Sequence, residues 1–487
     1  MDIAFIVTPL LLLFVVLAAV WLDRWSVPVI AVALGAGILF GSDVLGLWHF
    51  DDMVLTHHVA NIALVFILFQ GGFGTKRSDF KAVAWPAGGL ATWGVLLTAA
   101  ATLGTLWGLL GWPFERACLL AAITSSTDAA ATFSILRRQS LPPKLASTIE
   151  IESAANDPMA VLLTVVAVQS FAHGQTQWLL VILTFVWKFS VGPLVGWVLG
   201  RGALWLFNRL RPQDRAHYYV LLLGVVLLTY GLAECAQASG MLAVFVCGCV
   251  MGNHPFVHRQ GVANFSAALA AIVNIGMFLM MGLLVFPHQW SGVWLDGVVL
   301  FLVLALVARP IAVALGLLGM PFAWKKKVFI AWAGLRGAVP IVLATYPAAY
   351  GLPDSQDIFN LVFFAVLLSV LVQGSSLGIV GRALGLSAHA RPKPPYRLEL
   401  LAMAETDLDL VVVDLPGPLG IAGPLVRDLE LPPDALVILV TRRERALSPR
   451  GHTQLEGGDQ VTVLAHAADE ETIRQALVAP FRPPADS

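Results

Sequence analysis

Charge is what this sequence has least of. Asp, Glu, Lys and Arg make up 13% of its 487 residues, against about 25% in soluble domains, while 58% are hydrophobic and the mean hydropathy is +0.79. That excludes a soluble enzyme. Strict apolar–polar alternation is also missing, which excludes an outer-membrane barrel. The four cysteines, Cys118, Cys235, Cys247 and Cys249, lie in or beside apolar segments without the spacing of a disulfide framework or metal site. Neither sign of charge dominates: a net −1 and a pI near 6.8 offer no basic patch for nucleic acid. G-x-G-x-x-G, H-E-x-x-H, G-x-G-D and T-V-G-Y-G are all missing. A dinucleotide fold, a membrane protease and a potassium-channel filter therefore have no support.

What is present is a series of apolar blocks of roughly 18 to 25 residues, the length of a helix crossing about 30 Å of hydrocarbon. The chain reads as an all-α polytopic membrane protein of about thirteen spans. They lie near 3–22, 27–41, 58–74, 83–107, 115–136, 148–170, 178–200, 216–233, 240–252, 265–286, 292–317, 327–349 and 358–385. Residues 3–21 follow Asp2 rather than a basic leader and are long enough to span, so they are kept as the first helix rather than a signal peptide.

Loop charges test this count independently. One alternating set holds Arg24, Lys76, Arg77, Lys81, Arg137, Arg138, Lys144, Arg201, Arg209, Arg211, Arg215, Arg259 and Lys325 to Lys327; the other holds Arg116 alone, with Asp43, Asp51, Asp52, Asp296, Asp354 and Asp357. Fifteen cations against one would not survive a missed span. The positive-inside rule then places the N-terminus outside and the C-terminus in the cytoplasm.

The composition changes after residue 386. Arg391-Pro-Lys-Pro-Pro395 reads as a stiff linker within 387–397, and 398–487 as a small soluble α/β domain. Strands are expected at Asp409–Val413, Ala435–Thr441 and Gln460–Leu464, and a helix at Asp469–Leu477.

Thirteen spans divide into six, a linker helix and six, so residues 1–386 read as two inverted six-helix repeats, an arrangement of secondary transporters. The fifth helix of each half is interrupted, by Thr124-Ser-Ser-Thr-Asp128 in one and Gly334-Leu-Arg-Gly-Ala-Val-Pro340 in the other. Hydroxyls compete for backbone groups in the first run, and Gly and Pro weaken the second. Two broken helices at equivalent places point to one central site.

Buried ionisable side chains are expensive in a membrane and face a cavity or a partner. On the sixth helix, Ser153, Asn156 and Asp157 share a face and Glu152 stacks beside Asn156. Together they offer oxygen donors to a hard monovalent cation, and Asp128 on the broken helix is placed to complete the cluster. A carboxylate drawn partly out of water binds protons more readily, so proton and cation compete for it, which is sufficient for exchange. Arg336 needs a carboxylate, with Glu152 the first choice and Glu150 the second. Arg309 is read as pairing or snorkelling, Lys188 as structural with room to tune the site, and Glu234 as solvated. The histidines, mainly in loops, receive no ligand role.

At these residues the sequence resembles the monovalent cation:proton antiporter-1 family, its NhaP-type transporters in particular. The matching stretches are Ser126-Thr-Asp128-Ala-Ala-Ala, Glu152-Ser-Ala-Ala-Asn-Asp-Pro158, Ser239-Gly-Met-Leu-Ala-Val-Phe, Arg309-Pro-Ile-Ala-Val and Gly334-Leu-Arg-Gly-Ala-Val-Pro340. The resemblance implies the Na+/H+ antiporter fold, a homodimer and an elevator-like movement of the ion-binding core. It further implies an ion site of Asp157, Asp128, Ser153 and the Thr127 carbonyl, with Asn156 supporting the carboxylates and Glu152 paired with Arg336. Asn156, standing where electrogenic relatives carry a second Asp, implies one proton per cation. Gln70 stands where many members have an Asp, which leaves a gating role open there. The tail is similar to the TrkA-C (regulator of potassium conductance) module through Gly420-Ile-Ala-Gly423 and Pro449–Val461, which favours K+ over Na+. It is read as a sensor for a small, nucleotide-type ligand, or as a passive dimerisation domain.

The expected function is exchange of K+ or Na+ for H+ across a bacterial inner membrane, with no cofactor beyond the transported ions. The alternatives are a tail-gated cation channel and a Na+(Li+)/H+ antiporter with a purely structural tail.

Overall fold

The computed structural model describes residues 2–22, 29–75, 83, 85–128, 139–173, 178–210, 214–386, 388–389, 408–416, 420, 422–442, 445–466 and 469–481. The linker prolines, the second half of the fifth span, and Arg24, Lys76, Arg77, Lys81, Arg137, Arg138 and Arg211 lie outside these residues. By its contacts the chain forms two compact units. One comprises Met1–Trp205, Tyr219–His254 and Phe265–Ala390, the other Leu206–Tyr218, Pro255–Asn264 and Arg391–Ser487.

Up to residue 386 the chain is helical: α1 (Asp2–Leu22), α2 (Val29–Phe40), α3 (Met53–Gly74), α4 (Trp85–Leu109), α5 (Phe114–Ile123), α6 (Pro143–His173), α7 (Trp178–Leu210), α8 (Ala216–Cys235), α9 (Gly240–Gly252), α10 (Arg259–Leu283), α11 (Trp294–Gly316), α12 (Trp324–Trp332), α13 (Ala338–Ala349) and α14 (Ser355–Ala383). Eight helices among the described residues are long and apolar enough to cross a membrane. The others are short or interrupted. Expected spans five and twelve are where the interruptions fall: α5 stops before Thr124, and α12 and α13 are separated by Ala333–Gly337.

Glycine sets the closest helix contacts. Lipid offers no hydrophobic drive between helices, so small residues that let backbones approach dominate such interfaces. Gly192, Gly196 and Gly200 line one stripe of α7, where a Cβ would press on Ser239, Ala243 and Val250 of α9 and the residue before it. On its other side α9 meets α3: a Cβ at Gly248 or Gly252 would overlap the backbone of Phe69 or Phe73, and one at Gly72 that of Phe245. Helix α9 is thus held between α7 and α3.

The tail contributes β3 (Leu408–Asp414), β4 (Ala422–Leu425), β5 (Leu436–Arg442), β6 (Arg445–Leu447), β7 (Gln454–Glu456), β8 (Gln460–His466) and α15 (Glu470–Val478); β1 and β2 are two-residue strands at Gln139–Ser140 and Ala388–His389. The order β3-β8-β5-β6 is antiparallel throughout, with β4 pairing β7 separately. Alternating Val411, Val413, Val461 and Val463 meet Ile473 and Leu477 of α15 in one small core. Three strands and the helix fall where the periodicity predicts them; β4, β6 and β7 are too short to show it. Asp459 ties the β7–β8 turn to β5: its carboxylate, 1% exposed, takes Arg442 Nε at 2.9 Å and Nη2 at 2.7 Å. These charge-assisted hydrogen bonds hold the Arg442 guanidinium above its ordinary pKa despite partial burial.

Gly252→Ala should lower stability by about 1–3 kcal/mol through overpacking, whereas Gly224→Ala, whose Cβ enters open space, should be neutral or stabilising because Ala is the better helix former. Thermal unfolding in detergent separates the two signs.

Candidate functional site

The first break begins where the hydroxyl run begins. Thr124 Oγ1 donates to the Leu120 carbonyl at 2.6 Å and Ser125 Oγ to that of Ala122 at 2.7 Å, so these hydroxyls share the last carbonyls of helix α5 with the N–H groups of Thr124 and Ser125, where the helix ends. The chain then runs extended through Ser126, Thr127 and Asp128 across the second break. There Asp128 N donates to the Leu335 carbonyl at 2.8 Å and Ala338 N donates to Asp128 Oδ2 at 3.2 Å. Gly337 makes this approach feasible, since a Cβ there would fall inside the Asp128 carboxyl group. In return Arg336 Nη1 donates to the carbonyls of Ser125, at 3.0 Å, and Ser126. A cation therefore meets the carbonyl end of α5, and an anion meets the first N–H of α13, both in the sense the helix dipole favours.

Helix α6 closes the cluster. Asn156 Nδ2 donates to Thr127 Oγ1 at 2.7 Å, its Oδ1 faces Thr127 N at 3.4 Å, and Thr127 Oγ1 lies 2.9 Å from Ser153 Oγ. The amide thus fixes the extended strand rather than a carboxylate directly. Asp157 and Asp128 are 7% and 6% exposed and within electrostatic range of each other, with Ser126 beside Asp157. The expected site residues Thr127, Asp128, Ser153, Asn156 and Asp157 are therefore brought together.

The expected pairing of Glu152 with Arg336 is replaced. Glu152, 0% exposed, pairs at 2.5 Å with Arg309, which is 3% exposed. Arg336 is drawn instead to the free carbonyls at the end of α5, which leaves Glu152 to a guanidinium entering from α11. Gly334 leaves room for that guanidinium, since a Cβ there would overlap it. Arg336 remains within electrostatic range of both partners. The side chain of Glu150, the second choice, lies outside the described residues. Gln70 accepts a hydrogen bond from Ser266 on α10, Lys188 is half-buried on α7, and Glu234 is exposed, as expected, while accepting from Gly240 N at 2.9 Å at the start of α9.

Two supporting networks escaped the sequence reading. Ser369 Oγ accepts from Arg336 N at 3.0 Å and donates to Gln373 Oε1 at 2.6 Å, holding the second break from α14. Their spacing of four in an otherwise apolar span was the available signal. His57 is on α3 rather than in a loop: its Nδ1 lies 3.2 Å from Thr345 Oγ1, its Nε2 3.0 Å from Asn61 Nδ2, and Tyr346 donates to Asn61 Oδ1 at 3.1 Å. This network joins α3 to the far end of α13.

Residues 10–383 match the transmembrane region of the sodium/hydrogen exchangers, and 411–478 the TrkA-C domain. The chain belongs to the sodium/hydrogen exchanger family. It is a monovalent cation:proton antiporter and not an enzyme. It is 36% identical over 460 residues, 93% of this chain and 79% of the relative, to the K(+)/H(+) antiporter NhaP2 of Shewanella sp. (strain ANA-3). The K(+)/H(+) antiporter NhaP of Alkalimonas amylolytica is 34% identical over 482 residues, 98% and 84% of the two chains. The Na(+)/H(+) antiporter NhaP of Pseudomonas aeruginosa is 32% identical over 337 residues, 64% and 77%. The fold is that of the sodium proton antiporter MjNhaP1 from Methanocaldococcus jannaschii, with a TM-score of 0.66 at 23% identity over 78% of this chain and 98% of that one.

Arg309→Met strands a buried carboxylate and should cost about 3–5 kcal/mol, most of it regained in Glu152→Gln/Arg309→Met because the pair is removed together. Unfolding temperatures of the three proteins in detergent check this.

Proposed function

We propose that this antiporter exchanges K+ for H+ in an electroneutral one-to-one cycle by competition at Asp157. The observation that carries the reading is the burial of the Asp157 carboxylate beside the Ser126 hydroxyl and within electrostatic range of the Asp128 carboxylate. A carboxylate so placed can bind one cation or one proton in turn. Ser153, Thr127 and Asp128 supply the remaining oxygens, and Asn156 holds the Thr127 strand in place. Because Asn156 is neutral and Asp128 is engaged by Ala338 N, one carboxylate changes occupant per turn. Either occupant leaves the same net charge to cross.

K+ is favoured over Na+ because relatives that match nearly the whole chain, tail included, carry K(+)/H(+) antiporter names, while a relative named for Na+ matches 64% of it. Thirteen crossings in two inverted repeats fit the helix boundaries, with the N-terminus outside and the C-terminus in the cytoplasm of a bacterial inner membrane. The pairing of the two breaks supports the repeat reading, since each interrupted helix satisfies the other. A homodimer with an elevator-like core, and a TrkA-C tail that biases the cycle on binding a small ligand, complete the proposal.

The test is decay of a pH gradient in proteoliposomes on addition of K+, Na+, Li+ or choline. K+ should release the gradient whether or not the membrane potential is collapsed, and choline should not. Asp157→Asn should be folded and silent. Normal exchange by that variant, or flux that follows the potential, refutes the reading. The same assay on a chain ending near residue 390 shows whether the tail restrains or sustains exchange.

A further inference from the structure

Away from the ion site, a cavity of about 560 Å³ opens between α11, α12 and α14. That is the volume of a small-molecule site. Its walls are apolar, with Leu306, Val313, Ala331, Trp332 and Val380 among them, and Lys327 is the one charged residue among those lining it. Lys327 opens a basic edge: Lys325, Lys326 and Lys327 are consecutive, the first turn of α12 holds no acidic residue, and none of the three pairs with a carboxylate among the described residues. Lys327 Nζ reaches only the Leu317 carbonyl, at 3.1 Å. Trp324 beside them is 66% exposed, as interfacial tryptophans are.

These features fix the cavity's depth. Three adjacent lysines cannot lie in hydrocarbon, so this end of α12 stands at the headgroups. From Lys327 to Trp332 the helix then rises about 7.5 Å inward at 1.5 Å per residue. An apolar cavity that starts at the headgroups and runs into the bilayer has the shape of an acyl-chain site, and an uncompensated triple positive charge at its mouth selects a negative headgroup.

The cavity also borders the second break. Trp332 is its inner wall and the last residue of α12. Its indole donates to Ser376 Oγ at 3.0 Å and its carbonyl accepts from Gln373 Nε2 at 3.2 Å. Gln373 holds Ser369, Ser369 holds Arg336 N, and Arg336 holds the carbonyls that close the first break. The wall of the cavity and the ion site thus belong to one hydrogen-bonded chain.

We propose that this cavity binds an anionic phospholipid, with an acyl chain lying along α12 against Trp332 and the phosphate held by Lys325, Lys326 and Lys327, and that occupancy sets the exchange rate through the second break. The rate effect rests on the antiport reading; the binding does not.

The experiment uses the full chain, incubated in detergent with phosphatidylglycerol or phosphatidylcholine, with bound lipid read by native mass spectrometry. Cation-dependent proton flux is then read in vesicles of phosphatidylcholine with and without added phosphatidylglycerol. The variants are Lys325→Gln/Lys326→Gln/Lys327→Gln, which removes the charge, and Ala331→Phe, which fills the cavity and keeps the charge. Val380→Phe replaces Ala331→Phe if that protein is not monodisperse. The intact chain should retain phosphatidylglycerol at least tenfold over phosphatidylcholine, and its flux should rise severalfold with it. Both variants should lose the retention and run at the phosphatidylcholine rate in either vesicle. Equal retention of the two lipids, or retention unchanged in the triple variant, overturns the site. Retention unchanged in both cavity-filling variants overturns the acyl-chain groove. Selective retention with unaltered flux in an active protein overturns the coupling, and no flux in any vesicle with retention intact points to the antiport reading as the one that failed.

Discussion

The whole arrangement depends on two stretches of chain that leave the helical state and satisfy each other. Inside a bilayer an unpaired backbone group costs several kcal/mol, so irregular chain persists there only where protein supplies its partners. Here each break is the other's partner. Asp128 and Leu335 share a backbone hydrogen bond, Ala338 N is met by Asp128, and the Ser125 and Ser126 carbonyls are met by Arg336. Neither half of this cross would be stable alone. A hydroxyl run that stops α5 is tolerable because a guanidinium waits at its end, and a Gly-rich gap between α12 and α13 is tolerable because a carboxylate fits where Gly337 has no side chain.

The buried charges follow from this cross. Arg336 is hydrogen-bonded to carbonyls and acts on Glu152 only at electrostatic range, and a second cation, Arg309, pairs with that carboxylate directly. The result is a fixed triad of Arg336, Glu152 and Arg309 around the breaks, with Asp128 engaged by Ala338 N and Asp157 outside both. In the proposed cycle that division separates structure from function: the first group maintains the breaks, and Asp157, buried beside Ser126 and Asp128, exchanges its occupant. Asn156 belongs to the first group by its contacts, since its amide fastens Thr127.

Much of this was legible in the sequence because the membrane penalises deviation so strongly. Helix positions followed from apolar length, and the site from carboxylates in places where carboxylates are costly. Residues Ser153, Asn156 and Asp157 could be placed together by the helical period alone. Pairings across helices were less legible. Periodicity says which face Arg336 and Glu152 occupy on their own helices but not which of two guanidinium groups arrives first, and nothing local reveals that α5 would end in carbonyls seeking a cation. Ser369 and Gln373 were missed for the same reason, since their partners Arg336 and Trp332 lie 33 and 41 residues away at the second break. The short strands of the tail fell below the length at which alternation can be read.

The central claim is that one carboxylate serves proton and cation in turn. Its most direct measurement is the apparent KM for K+ in proteoliposomes across a pH series, with the membrane potential clamped at zero. Competition at one site predicts a KM that rises roughly tenfold per unit fall in pH once protons saturate the site, with an unchanged maximal rate. A KM independent of pH, with protons altering the maximal rate alone, would contradict it.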